Sequence, residues 1–373
     1  MEVYLDNAAT TPLSNDTKDY LIKLLDIYGN PSSHNSLGEK AKKVLSDTRK
    51  KVANFINSDP SNIYFTCSGS ASNTLGVKGF ISKYNYNIFY SPTVHKSISK
   101  IMDDVSATAL TVDACGLIDL NDLERKIVGT KPFVIIDYAN SEIGTIQDIK
   151  KIIDIVHFYK GIIYLDCTGS IPTIPLDVKF LDVDICGFSS HKLGALKGCG
   201  VLYKKYNIRL EPIIYGTQEN GLIGGTENVL SIASLGKVIE SYDYTSVSHV
   251  YRDFIYNYII TNIPNSYLVG ASIESGNRLP HNLYICFRGI ESESLMILLD
   301  MNGIQVSTGS ACSSGSLSPS DTLLSIGMDA HDLHSCIRIT LSGNETKTEI
   351  DYTCKKIKQC VETLRDINKN III

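Results

Sequence analysis

No stretch of this 373-residue chain approaches the roughly 18 consecutive apolar residues that a membrane-crossing helix needs, so no membrane partner is expected. The opening run Met1-Glu2-Val3-Tyr4-Leu5-Asp6 is acidic and lacks the apolar centre of an export signal. None of the ten cysteines falls in a Cys-x-x-Cys pair. Without an export signal, these thiols are expected to stay reduced, in a cytoplasmic setting. The run His331-Asp332-Leu333-His334-Ser335-Cys336 has metal-ligand residue types but no second ligand cluster. It reads as a surface helix, and no metal is expected. Positive charge is not in excess either. The net charge is −5, and the densest basic patch, Lys40 to Lys51, reads as a solvated helix face, so nucleic acid is not an expected partner. Internal repeats and low-complexity tracts are missing. What is present is a 43% hydrophobic composition with thinly spread charge, which suits a globular protein of two domains.

Along the chain, a helix is expected over Ser14 to Tyr28, broken by Gly29-Asn30-Pro31-Ser32-Ser33. A second is expected over Glu39 to Asn57. Strands are expected at Asn62–Thr66, Asn87–Tyr90, Ala109–Val112, Phe133–Asp137, Ile162–Asp166, Val183–Phe188 and Gly200–Tyr203, with helices between most of them. Such alternation predicts a mainly parallel sheet covered on both faces. Ligands of such sheets collect at the carboxyl ends of strands, and His95, Asn140, Asp166 and Lys192 all follow expected strands. After about residue 240 a tyrosine-rich helical stretch, Tyr242 to Ile260, leads into a second, α+β region. The expected division is a large domain over 14–240 and a small one built from 1–13 and 241–373.

Three stretches carry chemistry. Cys67-Ser68-Gly69-Ser70-Ala71-Ser72-Asn73-Thr74 is a small-residue turn between a strand and a helix. Free backbone N–H groups and a positive helix end suit a phosphate there. No Gly-Lys-Ser/Thr comes after it, so it is not a P-loop. In Phe188-Ser189-Ser190-His191-Lys192, an apolar strand spills into small polar residues and then a lysine. Lysine is a poor nucleophile at its ordinary pKa of about 10.4, but desolvated beside cations it forms Schiff bases with aldehydes such as pyridoxal phosphate. Finally, Ser307-Thr308-Gly309-Ser310-Ala311-Cys312-Ser313-Ser314-Gly315-Ser316 centres one cysteine among serines and glycines. Such a cysteine is expected to be exposed and reactive, whereas structural cysteines are usually buried.

Together these stretches resemble the pyridoxal-phosphate-dependent cysteine desulfurases, relatives of the class V aminotransferases. YLDNAATTP (Tyr4 to Pro12), GNPSS (Gly29 to Ser33), EIG (Glu142 to Gly144), SSHK (Ser189 to Lys192), GGTEN (Gly224 to Asn228) and STGSAC (Ser307 to Cys312) stand in that family's order. The resemblance implies an α/β, fold-type I architecture, as in aspartate aminotransferase. It implies that Lys192 holds the cofactor, Asp166 pairs with the pyridine nitrogen, and His95 lies over the ring and moves protons. Gly69, Ser70, Ser189 and His191 would bind the phosphate, and Thr226 would reach a phosphate in a partner subunit, implying a homodimer. Arg338, with Asn140 and Ser141, would hold the substrate carboxylate. Cys312 would attack the sulfur of L-cysteine and hand it, as a persulfide, to an acceptor or scaffold protein, as in iron–sulfur cluster assembly.

The chain also departs from the family. Gly69-Ser70-Ala71 replaces an alanine-threonine-glutamate core. Ser141 replaces an asparagine, Gly169 a glutamine that hydrogen-bonds the ring oxygen, Ile223 an arginine, and Asn35 a histidine. These departures set the expectation of slow turnover, and of a faster enzyme on Gly169→Gln. Two other readings stay open: another fold-type I enzyme, such as a selenocysteine lyase or an aminotransferase, or a weakly active homologue kept as a partner-binding subunit.

Overall fold

The computed structural model describes residues 1–246, 249–308 and 319–371. Its strands are β1 (Val3–Tyr4), β2 (Ile63–Thr66), β3 (Asn87–Tyr90), β4 (Ala107–Ala109), β5 (Pro132–Asp137), β6 (Ile162–Asp166), β7 (Ile185–Ser189), β8 (Gly200–Lys204), β9 (Ser266–Leu268), β10 (Asn282–Phe287), β11 (Ile304–Gln305) and β12 (Cys336–Thr340). Seven of them form the main sheet in the order β2-β8-β7-β6-β5-β3-β4. All its pairings are parallel except those of β8, which runs against both β2 and β7.

The sequence of β5, Pro-Phe-Val-Ile-Ile-Asp, is buried at every position. A strand without polar alternation is what a sheet covered on both faces requires. Its side chains divide between two cores. Val134 and Ile136 join Ile163, Leu165 and the helix Ile149–Phe158. Phe133 and Ile135 join Ile88, Tyr164 and Ile185 under the helices Gly69–Ile81 and Lys96–Met102. A further core gathers Val3 and Leu5 with residues from the helices His249–Asn262, Ser292–Met301 and Lys347–Ile371 and from β10 and β12. There β12, β10 and β9 make a three-stranded antiparallel sheet, and β1 pairs in parallel with β11.

Several expected elements shift. The first helix runs only over Asn15–Leu24, because Ser14 caps it by accepting from Thr17 N. The second begins at Ser36, since Asn35 accepts from Leu37 N and Gly38 N. Asn35, the residue standing where the family has histidine, therefore serves as a helix cap. The fourth strand lies at Ala107–Ala109 instead of 109–112, and β7 reaches Ser189. The helix expected from Tyr242 starts at His249. Residues 242–244 instead stack aromatic rings with Phe55, with Phe55 and Tyr244 parallel at 5.6 Å.

The expected surface helix at 331–336 is wrong. These residues form turns that run into β12. Asp332 is buried there, taking Tyr267 Oη at 2.6 Å and Arg288 Nε at 2.9 Å, so its carboxylate anchors the turn. Among the described residues, no group of three or more His, Cys, Asp or Glu could hold a metal ion, and no helix is long and apolar enough to cross a membrane.

Candidate active site

The carboxyl ends of β2, β3, β5, β6 and β7 lie along one edge of the main sheet. From them come Gly69 and Ser70, then His95, Asn140, Asp166 and Lys192. Asp166 ends β6 and is 4% exposed. One carboxylate oxygen accepts from Asn73 Nδ2 at 2.7 Å and the other from Thr168 N at 2.9 Å. Both of these partners are N–H donors. Asn73 is itself 2% exposed; it also donates to Ser97 Oγ at 3.0 Å and accepts from Tyr164 Oη at 2.7 Å.

Ser97 continues the chain outward. Its hydroxyl lies 2.8 Å from His95 Nδ1, which also accepts from Ser97 N at 3.1 Å. His95 thus caps the helix Lys96–Met102 through Nδ1. An Nδ1 that accepts leaves the proton of a neutral imidazole on Nε2. The path His95–Ser97–Asn73–Asp166 fixes the histidine against the carboxylate. Sequence reading missed Asn73 and Ser97 as contributors. Their signal was available: an amide on the helix after the small-residue turn, and a serine two residues after His95.

Lys192 closes a 3-10 turn, Ser190–Lys192, after β7. Its amine donates to the carbonyl of Ala8 and, at 2.8 Å, to that of Ala9. The neighbouring His191 contacts Thr10 Oγ1 through Nδ1 at 3.1 Å. Burial, then the charges of Lys192 and Lys197, push its pKa down to about 4, so it is neutral at neutral pH. Lys192 lines a cavity of about 420 Å³, together with Asn7, Ser141, Thr168, Gly169 and His281.

The residues present fit a phosphorylated cofactor. Ser68 caps the 13-residue helix Gly69–Ile81, accepting from Ala71 N. A Cβ on Gly69 would lie 3.1 Å from Ser189 Cβ and 3.4 Å from Thr168 Oγ1, so Gly69 keeps a cradle open between these elements. The Thr168 hydroxyl is buried without a partner among the described residues. Buried polar groups normally find partners, and an anion between the helix end and Ser189 would provide one.

Arg338 lies on β12, 5% exposed. Its guanidinium donates to Asp6 Oδ1 at 2.9 Å and to Ser141 O at 3.2 Å, while its Nε–H is buried without a partner among the described residues. Glu142 takes Tyr284 Oη and Ser320 Oγ, and burial raises its pKa. Asn140 is engaged throughout. Its Oδ1 accepts from the N–H groups of Glu142 and Ile143, and its Nδ2 donates to Thr93 O. The structure therefore gives Asn140 a turn-holding task and puts Ser141 on the cavity wall. Thr226 is exposed and does not line the cavity, and Cys312 lies outside the described residues.

The Gly169 departure has a steric cause. A Cβ at this position would sit 2.5 Å from Ala139 O and 3.3 Å from both Ser141 Cβ and Ser141 N. There is no room for a glutamine without moving backbone. Gly169 and Ser141, two separate departures in sequence, pack against each other in space. Ile223, a third, contributes to the apolar packing beneath the helix Gly69–Ile81.

The model of the class V aminotransferase family matches residues 3–353. A cysteine desulfurase IscS of Dictyoglomus turgidum is 34% identical, covering 98% of this chain and 96% of the relative. The chain belongs to the cysteine desulfurase family. Another cysteine desulfurase, IscS 1 of Archaeoglobus fulgidus, is 33% identical over 98% of both chains. A solved NifS-like protein superposes with a TM-score of 0.89 at 28% identity, covering 98% of this chain and all of that one. The NifS-like protein of Rickettsia africae gives 0.88 at 29%, covering 97% of this chain and all of the other. These neighbours share the fold-type I architecture, and cysteine desulfurases work with pyridoxal phosphate.

Proposed function

We infer that this protein is a cysteine desulfurase that converts L-cysteine to L-alanine and passes the sulfur on as a persulfide. The observation that carries the reading is the set Lys192, Asp166 and His95 on one sheet edge, within a chain alike over its full length to such enzymes. Pyridoxal phosphate, when bound, supplies an electron-withdrawing ring that loosens the bonds at the substrate's α-carbon.

The remaining work belongs to the chain's own residues. Lys192, whose amine rests on the carbonyls of Ala8 and Ala9, would hold the cofactor through that amine. Asp166, fixed by Asn73 and Thr168, would present its carboxylate to the ring nitrogen. Gly69, Ser70, Ser189, Thr168 and neutral His191 would hold the phosphate. His95, oriented through Nδ1 by Ser97, offers Nε2 for proton movement. Arg338 takes the substrate carboxylate, a role supported by its buried Nε–H, which has no partner among the described residues. The Cys312 thiolate attacks the substrate sulfur, so that an S–S bond forms as the C–S bond breaks. Alanine leaves once a proton reaches its β-carbon.

The separate apolar cores support a division into a large domain over 14–240 and a small one from 1–13 and 241–373. Exposure of Thr226, next to the open space around Gly225, supports a homodimer in which it reaches the partner's phosphate. The free cysteines of the described residues support a reducing, cytoplasmic setting. The test is direct: protein loaded with pyridoxal phosphate is given L-cysteine, and alanine is quantified. Stoichiometric alanine with persulfide on the protein supports the reading. No alanine, with the cofactor bound, overturns it.

A further inference from the structure

A second buried carboxylic acid stands beside Asp166, and the reaction as described does not use it. Asp137 ends β5 as Asp166 ends β6, and the two are direct partners across the parallel pair. Both point to the face that carries Phe133, Ile135 and Tyr164, under the helices Gly69–Ile81 and Lys96–Met102. Asp137 is 5% exposed. Its Oδ1 accepts from the Thr93 hydroxyl at 3.2 Å, a hydroxyl that also meets Ser91 Oγ at 2.8 Å. Its Oδ2 is buried without a partner among the described residues.

The two carboxyls are provisioned unequally. Asp166 receives N–H donors on both oxygens at 2.7 and 2.9 Å, whereas Asp137 has the Thr93 hydroxyl at 3.2 Å and support from its own backbone N–H and the Asn140 side chain. Like charges so close do not both ionise readily, and the less solvated member retains the proton. Burial first, and then the negative charge of Asp166, push the Asp137 pKa up to about 7. The other titratable groups along this edge are Tyr164 on β6, His95 after β3 and Lys192 after β7. Of these, Tyr164 is tied to Asn73, His95 to Ser97, and Lys192 to the carbonyls of Ala8 and Ala9. Asp166 is the charge that faces Asp137 from the neighbouring strand.

We propose that Asp137 is a positioning residue for the cofactor ring: the second carboxyl of a two-acid site, which gives up its proton when the positively charged pyridinium settles against Asp166. The cation relieves the repulsion that holds the proton on Asp137. By reciprocity, an ionised Asp137 tightens the hold on the protonated ring. The proposal rests on Asp166 facing the ring nitrogen. It assigns Asp137 no contact with substrate.

The test adds pyridoxal phosphate to apo-protein of the wild type and of Asp137→Asn, which keeps the side-chain shape and can still accept from Thr93. Affinity is followed spectroscopically from about pH 5.5 to about pH 8.5. The two proteins should bind alike at the acid end, where Asp137 is neutral. At the alkaline end the wild type should bind about tenfold tighter, which corresponds to a one-unit displacement of the Asp137 midpoint. In carboxyl-labelled wild-type apo-protein, one NMR resonance should titrate near pH 7, be missing from Asp137→Asn, and move to lower pH when cofactor is added. A merely structural aspartate would change affinity equally at all pH values. An affinity ratio flat with pH, or no carboxyl titrating near neutrality, overturns the role of Asp137. Failure of both proteins to bind the cofactor would overturn the active-site reading along with it. If Asp137→Asn does not fold, Asp137→Ser takes its place in the same comparison.

Discussion

Gly169 is the position where an inserted side chain has the best-defined consequence. A Cβ there would fall 2.5 Å from the carbonyl oxygen of Ala139. Comfortable C···O approaches begin near 3.3 Å, so one of the two backbones must give way by about 0.8 Å. Neither is loose. Ala139 bridges to Ile146, and the turn after β6 is pinned by Ser170 N and Ile171 N donating to Cys167 O. Overpacking of this kind costs about 1–3 kcal/mol. Gly169→Ala should lose that much in urea unfolding of the apo-protein, and Gly169→Gln at least as much. Displacement also reaches Thr168 and Asp166 on the same turn, and a misplacement of about 1 Å near reacting groups costs on the order of a hundredfold in rate. Gly169→Gln should therefore slow single-turnover alanine formation, the reverse of what the family pattern suggests. If Gly169→Ala stays within about 0.5 kcal/mol of the wild type while Gly169→Gln is faster, the steric argument fails.

Other expected outcomes concern the site directly. Borohydride should fix the cofactor to the peptide containing Lys192, and Lys192→Ala should hold it only noncovalently; label on another lysine would displace Lys192 from its role. Cys312→Ala should keep the cofactor colour and still change its spectrum with cysteine, yet form neither persulfide nor alanine, as mass spectrometry of the protein and amino-acid analysis would show. Asp137 also bears on stability without any cofactor. Its folded pKa of about 7 lies above the unfolded value near 3.9, so between these limits the folded chain holds a proton that the unfolded chain has lost. That contribution is fully present below about pH 4 and is lost as the pH rises toward 7. Melting temperature of the apo-protein should carry this fall, and Asp137→Asn should remove it.

Much of the sheet edge was legible because strands buried on both faces are written as unbroken apolar runs. Ile162–Asp166 and Phe133–Asp137 are both of this kind, and the ordered motifs identified the residues just beyond several of the strands. The hidden part depends on neighbours distant in sequence. Asp137 and Asp166 are spelled alike, each an acid ending an apolar run, and only the strand pairing sets them side by side. Ser141 and Gly169 read as two losses until packing shows one occupying the space the other leaves. That Arg338 on β12 is buried against Asp6 is likewise visible only in the fold. The run at 331–336 has the polar residues of a solvated helix, yet Asp332 is drawn inside by Tyr267 and Arg288, and no local spacing announces that.

The strip at the start of the chain has a consequence for the order of events during synthesis. Val3 pairs with Ile304, and Asn7 donates to Thr340 O across 333 positions. The same strip supplies the carbonyls that hold Lys192 and the Asp6 carboxylate that holds Arg338. Residues 3–7 must therefore wait, without these partners, until residues 304–340 have emerged from the ribosome. Closing so long a loop is entropically costly and slow compared with local pairing. The sheet that carries Asp166 can form before then, so the lysine and arginine are secured last, when this strip meets β11 and β12.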